Sequence, residues 1–124
     1  MSKARPKYLD LTRIRLPIPG FVSILHRISG AALFLLLPVL LYLWQTSLQS
    51  PDTFASFKAF MSHPLSKLVA IGVAWAYLHH LCAGIRHLAL DLHFGTSLET
   101  ARATSWVVLG VGAFLTLVFG ALIW

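Results

Sequence analysis

LVAIGVAWAYLHHLCAGI, residues 68–85, runs from Lys67 to Arg86 without a charged side chain. About 20 apolar residues at 1.5 Å rise cross the hydrocarbon core of a bilayer. The stretch therefore reads as a membrane-spanning helix, and it carries a histidine pair, His79-His80. Imidazole at membrane depth is costly and needs a partner, which makes it a functional-site candidate. Two further uncharged stretches flank it: residues 28–51, between Arg27 and Asp52, and residues 103–124, beyond Arg102.

The composition agrees with three spans. Hydrophobic residues make up 57% of the 124 and charged residues 11%, far too little charge for the surface of a soluble domain. The fold class is all-α integral membrane, three transmembrane helices, with no room for a separate soluble domain. Net charge is +6, and six of the ten Lys and Arg residues fall at or before residue 27: Lys3, Arg5, Lys7, Arg13, Arg15 and Arg27. By the positive-inside rule the N-terminus is cytoplasmic. Three spans then place the loop from Asp52 to Lys67 outside, the loop from Arg86 to Arg102 inside, and Trp124 outside. The basic excess points to lipid headgroups or an acidic partner. It does not point to nucleic acid, because no basic face recurs along a helix. The first apolar run begins too late and is too long for a cleaved signal. The single cysteine, Cys82, reads as a small buried residue.

Residues 1–20 are polar and basic, with Pro6, Pro17 and Pro19, and read as a cytoplasmic arm on the membrane or a partner. Residues 16–20 carry two prolines and a glycine, so no regular helix is expected there. The transmembrane domain covers residues 21–124, with helices over about 21–48, 65–92 and 101–123, the last starting as early as Leu98. Pro38 is expected to kink the first span. Tyr42 and Trp44 suit an outer aromatic belt. Ser50-Pro51-Asp52-Thr53 is a helix-start signal, so a short interfacial helix is expected over residues 54–61, ended by His63-Pro64. Gly110, Gly112 and Gly120 would let the third span approach its neighbours closely.

Around His80, stepping by helical turns, lie Ala76, Tyr77, Gly84 and His87. A histidine with a small residue one turn above and one turn below suits a flat macrocycle lying against the helix, and neutral imidazole is a good axial ligand for haem iron. The plainer reading is a histidine hydrogen-bonded to a carbonyl in a packed bundle. His79 shares its face with Trp75, Cys82, Ala83 and Arg86, and bulky Trp75 makes it the poorer platform. A haem with two protein ligands needs a second imidazole, and no other span offers one. His26 sits at the end of the first span, and His63 and His93 fall in loops. Iron bound by His80 thus requires another chain or a second copy of this one. Arg86 and His87, two turns from His80, read either as a charged membrane boundary or as partners of haem propionates.

Ser23 and Arg27 lie one turn apart at the start of the first span, with His26 beside them. A hydroxyl that donates and a guanidinium that stabilises a developing anion suit a quinone, an uncharged dicarbonyl that becomes anionic on one-electron reduction. Alternatively, Arg27 snorkels to the headgroups and Ser23 caps the helix.

Three segments resemble one family closely: residues 5–11, RPKYLDL; residues 23–30, SILHRISG; and residues 80–87, HLCAGIRH, followed by Asp91. The family is the cytochrome b subunit of bacterial succinate dehydrogenase, the larger of its two membrane anchors. The Ser-x-x-His-Arg-x-Ser-Gly and His-x-x-x-Gly-x-Arg-His patterns carry the resemblance over about residues 5–30 and 76–91. It implies that His80 is the axial ligand of haem b, with His79 an added imidazole that departs from the pattern. It implies that Ser23 and Arg27 contact ubiquinone, and that His26, Arg27 and the region of Arg86 and His87 lie near the haem propionates. It further implies a second small anchor subunit that supplies the other haem ligand and packs with this chain into a haem-containing helical bundle in the bacterial inner membrane. A flavoprotein and an iron–sulfur subunit would dock on the cytoplasmic face. The chain itself has no flavin fingerprint and no cysteine cluster, so succinate oxidation belongs elsewhere. A fumarate reductase anchor is the rival within the superfamily. A transporter is disfavoured because all four acidic residues lie outside the three uncharged stretches. A haem-free structural bundle is the remaining alternative.

Overall fold

A computed structural model describes residues 14–124, so the segment 5–11 and most of the expected N-terminal arm lie outside the described residues. Four helices follow in order: α1 (Ile18–Ser47), α2 (Pro51–Ser62), α3 (Pro64–Asp91) and α4 (Leu98–Ile123). No strand occurs among the described residues. α1, α3 and α4 hold 30, 28 and 26 residues and are long and apolar enough to cross a membrane. At 1.5 Å per residue each is about 40 Å long, enough to carry its ends into the headgroup layers.

α1 starts three residues earlier than residue 21. Pro17 is extended at the cap, with φ −64° and ψ 155°, and Pro19 lies in the first turn, where a missing N–H would have had no partner anyway. The Phe21 amide closes that turn on the Pro17 carbonyl at 3.1 Å. Pro38 lies inside α1, which continues unbroken past it.

α2 begins with a reciprocal cap. Ser50 Oγ accepts from the Thr53 amide at 3.1 Å, and Thr53 Oγ1 accepts from the Ser50 amide at 3.0 Å. His63, expected as a loop residue, caps α3 by accepting from the Leu65 amide at 3.2 Å. α3 ends in a pair of back-bonds, Phe94 N–H to the Ala89 carbonyl and His93 N–H to the Leu90 carbonyl, both 2.9 Å. This closure needs a left-handed residue after the cap, and His93 takes it at φ 65°.

α3 is the middle of the bundle, packed against α1 on one side and α4 on the other. The buried apolar core is small: Val22, Ala76, Ala83 and Val108. Large apolar residues such as Phe34, Leu117 and Leu122 remain exposed on the outer faces, which suits contact with lipid or another membrane polypeptide. In lipid, helices associate through close packing and interhelical hydrogen bonds rather than water exclusion. Gly112 and Gly120 face α3 at His79 and Ile71, whereas Gly110 faces open space, so only two of the three expected glycines serve the helix contact.

Candidate functional site

The α1–α3 seam brings together His26, Ser29, Gly30, His80, Gly84 and His87. His80 points at α1. Its Nδ1 lies 3.0 Å from the His26 carbonyl oxygen and 3.3 Å from Ser29 Oγ. A carbonyl oxygen only accepts, so Nδ1 carries the proton and the lone pair resides on Nε2. The His26 ring stacks on His80 with centroids 4.2 Å apart and planes 12° from parallel. It tilts against His87 at 4.8 Å, and His87 Nε2 is buried without a partner among the described residues. Gly84, expected to leave a flat shelf, admits the His26 ring: a Cβ there would stand 3.5 Å from His26 Nε2.

This donor set fits an axial haem ligand in one specific respect. Ligating histidines donate their second ring N–H to a carbonyl or similar acceptor, which fixes tautomer and orientation, and His80 already does so. The chain supplies one such imidazole. Two apolar clefts, of about 290 Å³ between α3 and α4 and about 770 Å³ among α1, α2, α3 and Phe119 of α4, are lined by none of His26, His80 and His87. His26, His80 and His87 are each partly exposed along the α1–α3 seam, which leaves the cluster open to another polypeptide.

His79 is placed differently. It is 1% exposed, and neither ring nitrogen makes a hydrogen bond among the described residues. Trp75 stacks on it at 5.3 Å, and Gly112 of α4 approaches its backbone. The two adjacent histidines thus differ in surroundings: His80 is anchored on the His26 carbonyl and Ser29 of α1, whereas the His79 ring stacks on Trp75 and its backbone is approached by α4.

Arg86 is not brought to the histidine cluster. It is buried at 8% exposure and donates to α4, from Nε to Thr104 Oγ1 at 3.1 Å and from Nη2 to the Ala101 carbonyl at 3.2 Å. Thr104 keeps its own bond to the Thr100 carbonyl, and Ala101 also accepts from Ser105. Removing the arginine therefore leaves neither acceptor orphaned, while removing Thr104 leaves a buried cation short of a partner. Thr104→Val should destabilise the solubilised protein by about 1–3 kcal/mol, and Arg86→Met by less. Thermal melting of the two variants checks the order, and a larger loss for Arg86→Met would contradict it.

Ser23 is half-buried and Arg27 exposed, one turn apart near the start of α1. Both stand on the same end of the molecule as His87. Sequence reasoning gave Ser29, Gly30 and Thr104 no role. Ser29 and Gly30 stood within a motif, but their partner lies on another helix, and only the register of α1 on α3 shows it.

Residues 1–119 match the family described as the succinate dehydrogenase/fumarate reductase transmembrane subunit. The chain is 38% identical to a succinate dehydrogenase cytochrome b556 subunit of Coxiella burnetii, over the whole of both chains. It is 34% identical to the protein of that name from Rickettsia felis, over 91% of this chain and 88% of the other. It is 32% identical to that of Paracoccus denitrificans, over 92% and 90%.

Proposed function

The chain belongs to the succinate dehydrogenase/fumarate reductase transmembrane subunit family, as a membrane-anchor cytochrome b subunit of succinate dehydrogenase, and from that premise we propose that His80 co-ligates haem b while Ser23 and Arg27 help form a ubiquinone-reducing site. The observation that carries the haem assignment is the anchored Nδ1 of His80, held by the His26 carbonyl and Ser29 Oγ. That anchoring turns a mobile imidazole into an oriented one with Nε2 as its donor atom. His79, fully buried with Trp75 stacked on its ring, is the poorer candidate. The second ligand comes from a second small membrane-anchor subunit.

Haem b, when bound, supplies a one-electron carrier at membrane depth. The chain's own residues orient it and hold the quinone. The His26 ring borders His80, and His87 borders His26 in turn, on the side of the α3–α4 turn where propionates would lie. Arg86, committed to Thr104 and Ala101, anchors α3 to α4 and takes its place in the site through that packing. Ser23 Oγ donates to a quinone carbonyl, and the Arg27 guanidinium favours the reduced, more negative ring. The N-terminus and the α3–α4 turn face the cytoplasm of a bacterial inner membrane, with Trp124 on the periplasmic side. Flavoprotein and iron–sulfur subunits deliver electrons from succinate on the cytoplasmic face.

Ser23→Ala tests the quinone half. Succinate-to-quinone turnover of the intact complex should fall by about tenfold or more, while haem content and absorption stay as in the unmodified protein. Unchanged turnover would remove Ser23 from the quinone site; with Pro17 at the cap of α1, Ser23 is not a helix cap either.

A further inference from the structure

We propose that Ser29, Gly30 and the His26 carbonyl form a preset cradle on α1 that fixes both the tautomer and the plane of the His80 imidazole. The inference rests on the reading of His80 as the haem ligand and names the residues that position it.

Three contacts define the cradle. Ser29 Oγ donates its single proton to the His26 carbonyl at 2.9 Å. Its remaining lone pairs and that same carbonyl both face His80 Nδ1, at 3.3 and 3.0 Å. Two acceptors converge on one nitrogen, so the N–H is shared between them and cannot sit on Nε2. The third contact is steric. A Cβ built on Gly30 would lie 2.7 Å from His80 Cε1 and 3.2 Å from Nδ1, closer than carbon atoms pack. Glycine inside a helix costs about 1 kcal/mol relative to alanine. At this position it admits the edge of the imidazole against the α1 backbone. The ring can neither rotate about its Cβ–Cγ bond towards α1 nor exchange its two nitrogens without losing both acceptors.

Ser29 is 2% exposed and, like the His26 carbonyl, meets the ring at Nδ1 and not at Nε2, so these groups position the ligand. A shared N–H makes the imidazole a stronger donor to iron, and the plane of an axial imidazole sets the electronic anisotropy of low-spin ferric haem. Both quantities can be read without measuring turnover.

The test uses the intact complex from membranes, with Gly30→Ala and Ser29→Ala beside Gly72→Ala, a helix glycine with open space around it. Gly30→Ala should shift the principal g value of the ferric low-spin electron paramagnetic resonance signal or abolish haem retention. Ser29→Ala should raise the haem reduction potential, because Nδ1 keeps only one acceptor. Gly72→Ala should match the unmodified protein in both. Should Gly30→Ala fail to assemble, the potential of Ser29→Ala decides. His80→Ala separates the two levels. If that variant keeps its haem, the ligand assignment itself is wrong. If it loses haem while Gly30→Ala and Ser29→Ala retain unmodified g values and potential, the ligand stands and the cradle is overturned.

Discussion

His80→Ala should remove the b-type α band from the reduced-minus-oxidised spectrum of membranes, while His79→Phe should leave it in place. The two residues are neighbours in sequence and differ in surroundings. His80 presents an imidazole whose Nδ1 is already bound and whose Nε2 is not among the buried unpartnered nitrogens. His79 buries both ring nitrogens, and neither meets hydrogen-bond geometry with a partner among the described residues. An unsatisfied buried polar atom costs about 1–3 kcal/mol, so an apolar ring of similar shape stacked on Trp75 should fold at least as well. Haem quantitation of both variants against the unmodified complex checks the pair. A haem-bearing His80→Ala protein, or a haem-free His79→Phe protein that assembles normally, would reverse the assignment.

The second large effect concerns Arg27. Arg27→Leu should lower quinone reduction by about a hundredfold, the scale seen when a charge-stabilising donor is lost, and should also reduce haem retention. The side chain is exposed on α1 one turn from Ser23 and next to His26. One guanidinium at that place can serve both the quinone and the propionates, so a single substitution affects both. Ser23→Ala, by contrast, should affect only the quinone. Turnover and haem content measured together separate these outcomes. A variant with both unchanged would mean that Arg27 merely reaches the headgroups.

Much of the architecture was legible because membrane spans are written in charge. The uncharged runs after Arg27, Lys67 and Arg102 each became a helix, and Ser50 with Thr53 announced the start of α2. The start of α1 was misjudged because Pro17 and Pro19 look like helix breakers, yet proline in a first turn loses no hydrogen bond. The left-handed His93 was invisible, since glycine is the usual signal for that closure and here Gly95 stands two residues on.

Within the site, the i, i+4 relation of His80 to Gly84 was legible because it is local, whereas the His26 ring that lies against Gly84 comes from another helix. What spacing could not show was the partner across the seam. Ser29 is 51 positions from His80, and Thr104 is 18 from Arg86. Such pairs depend on helix register, which one sequence does not encode in any local pattern. For the same reason Arg86 was grouped with His87 from adjacency, although on a helix consecutive residues point about 100° apart. Arg86 faces α4 and His87 faces α1.

The most direct measurement is the iron position in a density map of the intact membrane complex, with the axial bonds resolved. The expected result is iron bonded on one side to His80 Nε2 and on the other to an imidazole from a different polypeptide. Iron held by His79, by two side chains of this chain, or no haem at all would contradict it.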